Sequence, residues 1–191
     1  MGSRLLPNRT ALQADLGTVN NPTSGSVKCA VTRRGPYFRL DFTLTAARIP
    51  VHDSGGSGST GSLKLFDFAE GGVAALSCRQ DYTAFSEGTA LTTTAGDAAF
   101  VLGLGSVAVG TGSGALATTS VDWGASTATL TNSSGTTTGT KFSATTAAFD
   151  GTSTASDIYL NWSGTAATID ADSNIDVTGT ITVCGVQLGD D

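Results

Sequence analysis

The clearest signal in the chain is an alternation of apolar and polar residues with a period of two. Phe38, Leu40, Phe42 and Leu44 share one parity, while Arg39, Asp41, Thr43 and Thr45 take the other. A strand with one face in a core and one in water requires this pattern. Later in the chain Ile158, Leu160 and Trp162 alternate with Tyr159 and Asn161, and Ile175, Val177, Ile181 and Val183 alternate with Asp176, Thr178, Thr180 and Thr182. The apolar faces at 38–44 and 175–183 are expected to share one core. Further strands are predicted over residues 27–31, 63–68 and 73–85, the last with a bend. Weaker Thr/Ser-rich strands are predicted over 115–121, 127–131 and 140–149. Residues 96–105 fit either a buried strand or one short helix. Residues 53–62 read as a long flexible loop or a hairpin tip, and turns are expected at 110–114, 132–135 and 170–174.

About ten short strands separated by turns every 8–12 residues or so describe an all-β protein, a β-sandwich or jelly-roll-like barrel. Residues 1–26 lack periodicity and end in Asn20-Asn21-Pro22-Thr23-Ser24-Gly25-Ser26. They are expected to form an extended N-terminal arm, leaving 27–191 as the β-sandwich domain, with a subdivision near 86–105 as an alternative. No repeat of solenoid period is present.

Composition narrows the class further. Charged residues make up 14 % of the chain, against about 25 % in an ordinary soluble domain. Thr, Ser, Ala and Gly stand in their place, and β-branched and aromatic residues recur in short runs, which suits pleated sheet. The net charge of −6 is unevenly spread. Residues 1–50 hold Arg4, Arg9, Lys28, Arg33, Arg34, Arg39 and Arg48 against Asp15 and Asp41, whereas residues 96–191 hold Lys141 against nine Asp. Two surfaces meeting different partners would use such a split. Scattered basic residues in an acidic chain argue against nucleic-acid binding. No signal-peptide core or membrane-length apolar run is visible, so a soluble product made in the cytoplasm is expected, with no membrane partner.

The candidate chemistry is thin. Asp170, Asp172, Asn174 and Asp176 have the spacing of a calcium loop, but Ile175 and Ile181 stand where such a loop wants Gly and Glu. Asp170, Asp172 and Asn174 are therefore weak metal candidates, and a polar turn is the stronger reading. Gly103-Leu-Gly105-Ser-Val-Ala108 mimics a phosphate-binding turn, yet the glycine-rich 110–114 that follows cannot open the helix that turn needs. His52-Asp53-Ser54 are triad residue types as chain neighbours, whereas a triad converges from separate segments. Cys29, Cys78 and Cys184 show no metal or disulfide spacing and are expected to be buried free thiols. Trp162 belongs to a core by its parity; Trp123 fits either a core or a sugar-stacking face. No catalytic residue and no cofactor is expected, so the chain does not read as an enzyme.

The stretch Phe149-Asp-Gly-Thr-Ser-Thr-Ala-Ser-Asp-Ile-Tyr-Leu-Asn-Trp162, with 175–183, Phe85-Ser-Glu-Gly and Phe100-Val-Leu-Gly-Leu-Gly-Ser-Val107, resembles structural proteins encoded beside capsid genes in tailed phages. The resemblance spans residues 30–189; the chain departs from it at Val183-Cys184-Gly185, where an aromatic is more usual. It implies a virion protein, a head decoration (cement) protein that binds the major capsid protein across capsomers on the outer capsid surface. A homotrimer would suit local three-fold positions. Arg4, Arg9, Arg33 and Arg34 are the capsid-interface candidates, through pairing with acidic capsid surface. Two rivals are a host-surface glycan recognition module of a head or tail fibre and a small polysaccharide-degrading domain using Asp pairs.

Overall fold

The structure, a computed structural model, describes residues 16–53, 58–89, 99–111, 115–127, 130–131, 139–144, 147–151, 156–164 and 171–189. Its strands are β1 (Gly17–Val19), β2 (Ser26–Arg34), β3 (Tyr37–Asp53), β4 (Ser59–Phe68), β5 (Gly72–Thr89), β6 (Ala99–Gly105), β7 (Leu130–Thr131), β8 (Gly139–Ala144), β9 (Ala148–Phe149), β10 (Asp157–Gly164) and β11 (Ser173–Gly189). They form one antiparallel sheet in the order β7-β6-β10-β4-β3-β11-β5-β8, with β1 beside β4, β2 beside β3 and β9 beside β5. The protein is all-β, and the sheet curls into a half-barrel whose two halves face each other across the core. Strands from both sides of 86–105 belong to this one sheet.

The turn between the halves is made within β3. Phe38, Leu40, Phe42 and Leu44 point inward, then Thr45 and Ala46 are both exposed, and the inward set resumes at Ala47, Ile49 and Val51. Against β11 the register moves from Gly179↔Leu44 to Val177↔Ala47, so β3 carries an extra residue there. Ala46 has φ 45°, a conformation forced by the bulge, and its N–H donates to Thr178 Oγ1 at 3.0 Å. Before the bulge β3 pairs with β2; beyond it, at Val51–Asp53, the same edge pairs with β4. One strand thereby serves both halves.

Both expected apolar faces lie in one core. Phe42 is 1 % exposed and Ile175, Val177, Ile181 and Val183 are fully buried. Phe38 meets Phe68 and Phe42 meets Phe66 across the interior, at centroid separations of 5.6 and 6.2 Å. Trp162 packs on Phe100, and Phe100 on Phe85. Trp123 is also core, stacked between Phe68 and Phe149 at 5.4 and 4.5 Å, so it offers no face to a sugar.

Several expectations fail. The arm cannot extend to 26, because Leu16 is buried and Gly17–Val19 pair with β4; residues 1–15, with Arg4 and Arg9, lie outside the described residues. Over the described part of 53–62, the hairpin reading fits and the flexible loop does not: Ser59–Ser62 belong to β4, with Ser59–Gly61 paired antiparallel with Val51–Asp53, and Ser59 and Thr60 are buried. For residues 96–105, open between a buried strand and a short helix, the strand reading holds from Ala99 to Gly105. Residues 115–121, expected to be a strand, are irregular with a 3-10 turn at Thr118–Ser120. Their run Ala-Leu-Ala-Thr-Thr-Ser-Val buries none of its apolar side chains fully; it lies instead across β6. Gly103 and Gly105 make this possible, since a Cβ would sit 2.6 Å from Val121 Cγ1 and 2.3 Å from the Thr119 carbonyl. The phosphate-loop mimic is thus a packing device.

Asn161 holds that covering segment. It points away from the core on β10, yet it is fully buried. Its Nδ2 donates to the Val107 and Ser120 carbonyls at 3.0 and 2.9 Å, while Oδ1 accepts from Ser62 Oγ and the Val109 N–H at 2.7 and 3.1 Å. All four bonds an amide can make are made.

Candidate functional site

Two concave surfaces stand out, one basic and one acidic. The basic one is a socket of about 250 Å³ on the outside of the β2–β3–β11–β5 half, lined by Arg33, Arg34, Tyr37, Arg39, Leu76 and Cys184. A bulge creates it. Cys184 pairs with Ser77 and Gly185 with Ala75, so Leu76 is the extra residue and its side chain is pushed outward. Tyr37 is 57 % exposed and Leu76 44 %, large values for apolar side chains side by side. Arg33 is half-buried and its Nη2 donates to Gln187 Oε1. Arg39 grips Asp41 with both Nε and Nη2, at 2.8–2.9 Å. The result is an apolar floor with guanidinium groups around its edge. Arg33 and Arg34 were legible as charge in the sequence; Tyr37 and Leu76 were not legible as their neighbours.

The acidic surface is a cleft of about 640 Å³ whose lining includes Val107, Asp122, Phe149, Asp150, Asp157 and Tyr159. Asp122 accepts from the Ser106 N–H and Oγ, both at 2.7 Å. Burial raises its pKa, against the pull of those hydrogen bonds. Asp157 is raised as well, by burial first and by neighbouring Asp67, although Lys64 at 2.9 Å opposes both. Tyr159 donates to Asp157 Oδ2 at 3.1 Å, and burial followed by the Asp157 charge raises the phenol too. The segments that carry these groups are fixed from beneath. Asn161 holds the Val107 and Ser120 carbonyls, and Trp123 donates Nε1 to the Asp157 carbonyl at 2.9 Å while stacking on Phe149.

The weak metal candidates do not assemble. Asp170 lies outside the described residues. Asp172 is exposed, and its Oδ1 accepts the Asp53 N–H at 2.8 Å while Oδ2 lies 3.5 Å from His52 Nδ1. The Asp53 N–H, followed by His52, lowers its pKa. Asn174 sits in β11 opposite Pro50, and Asp176 is held by Arg48 at 2.8 and 3.0 Å. Among the described residues no three His, Cys, Asp or Glu side chains converge as a metal would require. The cysteines are free thiols, but only Cys78 is buried; Cys29 and Cys184 are half-buried. Burial pushes both Cys29 and Cys78 up to about 12, which leaves them protonated and unreactive at neutral pH.

No protein-family model matches the chain, and neither a curated protein nor a solved structure shows significant similarity to it.

Proposed function

We propose that this protein is a decoration protein on the outer surface of a tailed-phage head, attached to the major capsid protein through the arginine-edged socket. The observation that carries this reading is the pairing of exposed Tyr37 and Leu76 with Arg33, Arg34 and Arg39 around one socket. Interfaces concentrate their energy in aromatic and arginine anchors at a desolvated centre. Charge complementarity with an acidic capsid loop would set register and speed of encounter. The resemblance of 149–162 and 175–183 to phage structural proteins points the same way. A rigid β body suits a cement role, and a three-fold oligomer would place several sockets on neighbouring capsomers.

The test is binding of purified protein to expanded, undecorated heads, measured by co-sedimentation. Saturation at a fixed ratio to capsid protein is expected, with Arg34→Glu combined with Tyr37→Ser weakening binding about tenfold or more at an unchanged melting temperature. Absence of saturable binding, or full binding by the double variant, defeats the reading.

A further inference from the structure

The acidic cleft shares no lining residue with the socket, so it lies outside the attachment surface proposed above. Its lining comes from four separate stretches of chain: Ser106-Val107, Thr119 with Asp122, the 147–150 segment, and Ser156 to Tyr159. Surface grooves formed by chance between loops rarely have their walls tied to the core. Here fully buried Trp123 and Asn161 fix the cleft's backbone at Asp157, Val107 and Ser120. Phe149 is braced against Trp123, and Tyr159 is anchored through Asp157. The walls are therefore preorganised, which lowers the cost of binding. At about 640 Å³ the cleft lies in the range of roughly 300–1,000 Å³ usual for small-molecule sites.

We propose that this cleft binds a neutral oligosaccharide. Phe149, Tyr159 and the 51 % exposed Val107 offer the apolar surface on which a sugar ring stacks. Asp122, Asp150 and Asp157, with the Ser106 and Thr119 hydroxyls, supply acceptors for a ligand rich in O–H donors. The charge distribution selects neutrality. An anionic ligand would meet carboxylates, and the nearby ammonium group of Lys64 is already paired with Asp157. A polycation would find a weakened field, because Lys64 compensates Asp157 and Ser106 solvates Asp122.

The experiment uses the full chain and ¹H–¹³C NMR of its aromatic side chains, titrated separately with maltohexaose, cellohexaose, N-acetylchitohexaose, heparin hexasaccharide and spermine. At least one neutral hexasaccharide is expected to saturate shifts at Phe149 and Tyr159, and the two charged probes are expected to leave those signals in place. Tyr159→Ala should weaken that affinity about tenfold or more. Val107→Ser, at a 51 % exposed side chain, should weaken it while keeping the wild-type melting temperature, which separates ligand contact from folding. Arg34→Glu should bind the hexasaccharide normally, so capsid attachment and sugar binding can fail independently. Shifts with heparin or spermine alone, no saturable shift with any neutral hexasaccharide, or unchanged affinity in both cleft variants overturns the proposal.

Discussion

In the half of the sheet formed by β2, β3, β11 and β5, the outward side chains meet water; in the half formed by β4, β10 and β6, they meet a second layer of chain. On the open half the outward row reads Thr43, Thr180, Asp41 and Thr182, stitched by Arg39 to Asp41 and by Thr182 Oγ1 to Asp41 at 2.7 Å. On the covered half Asn161, Ser163, Gly103 and Gly105 of the outward row are buried beneath or beside 106–111 and 115–127, and Tyr159 opposite Gly105 stays half-exposed at the cleft. The same strand geometry accepts either finish. Side chains decide which, because long charged groups hold water at the surface and glycine leaves room for backbone. The comparison also separates the carboxylates. Burial raises Asp41, but hydrogen bonds from Arg39 and Thr182 and the Arg39 charge outweigh it and lower its pKa; Asp122 and Asp157 stay raised.

The largest effect should come from the interior that both halves share. Phe42→Ala is expected to cost about 3–5 kcal/mol, as a large side chain leaves a cavity between β3 and Phe66; denaturant unfolding measures it, and a loss under about 1 kcal/mol would mean that the two halves do not pack on each other. Next comes the pin of the covered half. Asn161→Leu takes the side-chain donor from the Val107 and Ser120 carbonyls and the acceptor from Ser62 Oγ, while the Val109 N–H keeps Ser62 Oγ at 2.9 Å, and should cost about 2–4 kcal/mol. Hydrogen exchange should accelerate over 106–121 and not in β3 or β11; uniform acceleration would show that the layer has no separate stability.

A smaller contrast concerns pH. Asp41, lowered in the folded state, contributes stability above its ordinary value of 3.8 that is lost as pH falls through its folded value. Asp122 and Asp157, raised in the folded state, contribute stability below 3.8 that is lost as pH rises through theirs. Carboxyl ¹³C titrations should therefore place Asp41 below 3.8 and the other two above it. Asp41→Asn should destabilise the protein at neutral pH and leave it unaffected once Asp41 is protonated. Three coincident titrations would erase the contrast. The smallest effect belongs to exposed Thr180: Thr180→Ala should change stability by no more than about 0.5 kcal/mol in the free protein. A larger loss would show that the open face is covered in solution.

The open half was legible in the sequence because its alternation is the ordinary one, grease inward and charge or hydroxyl outward, from Phe38 to Leu44 and from Ile175 to Val183. Even there the bulge at Ala46 was not visible, since Thr45-Ala46-Ala47 carries no apolar mark of its own. On the covered half the strands at Leu63–Phe68 and Ile158–Trp162 were legible, but the layer over them was misread for a physical reason. Asn161 and Gly105 are buried under backbone, and Gly103 under the Val121 and Leu116 side chains of the same covering segment; hydrophobic periodicity is blind to a second layer over a polar row. The socket was half legible: Arg33 and Arg34 declare charge, but Leu76 reaches the surface only through a register slip that no local pattern announces. The cleft was not legible, because Ser106, Asp122, Phe149 and Tyr159 meet only through the curl of the sheet.

The position of β11 carries a consequence for synthesis. It lies in the middle of the sheet, hydrogen-bonded to β3 on one side and β5 on the other. On the ribosome both of those strands emerge long before residues 173–189. Until then β3 and β5 each present an open edge next to apolar rows such as Phe38 to Leu44, the kind of template on which nascent chains cross-pair. Closing the gap joins residues as distant as Arg48 and Asp176, a long loop that slows folding. The half-barrel therefore completes only after residues 173–189 have emerged, and slow translation or crowding of nascent chains should lower the yield of folded protein more than any single surface substitution would.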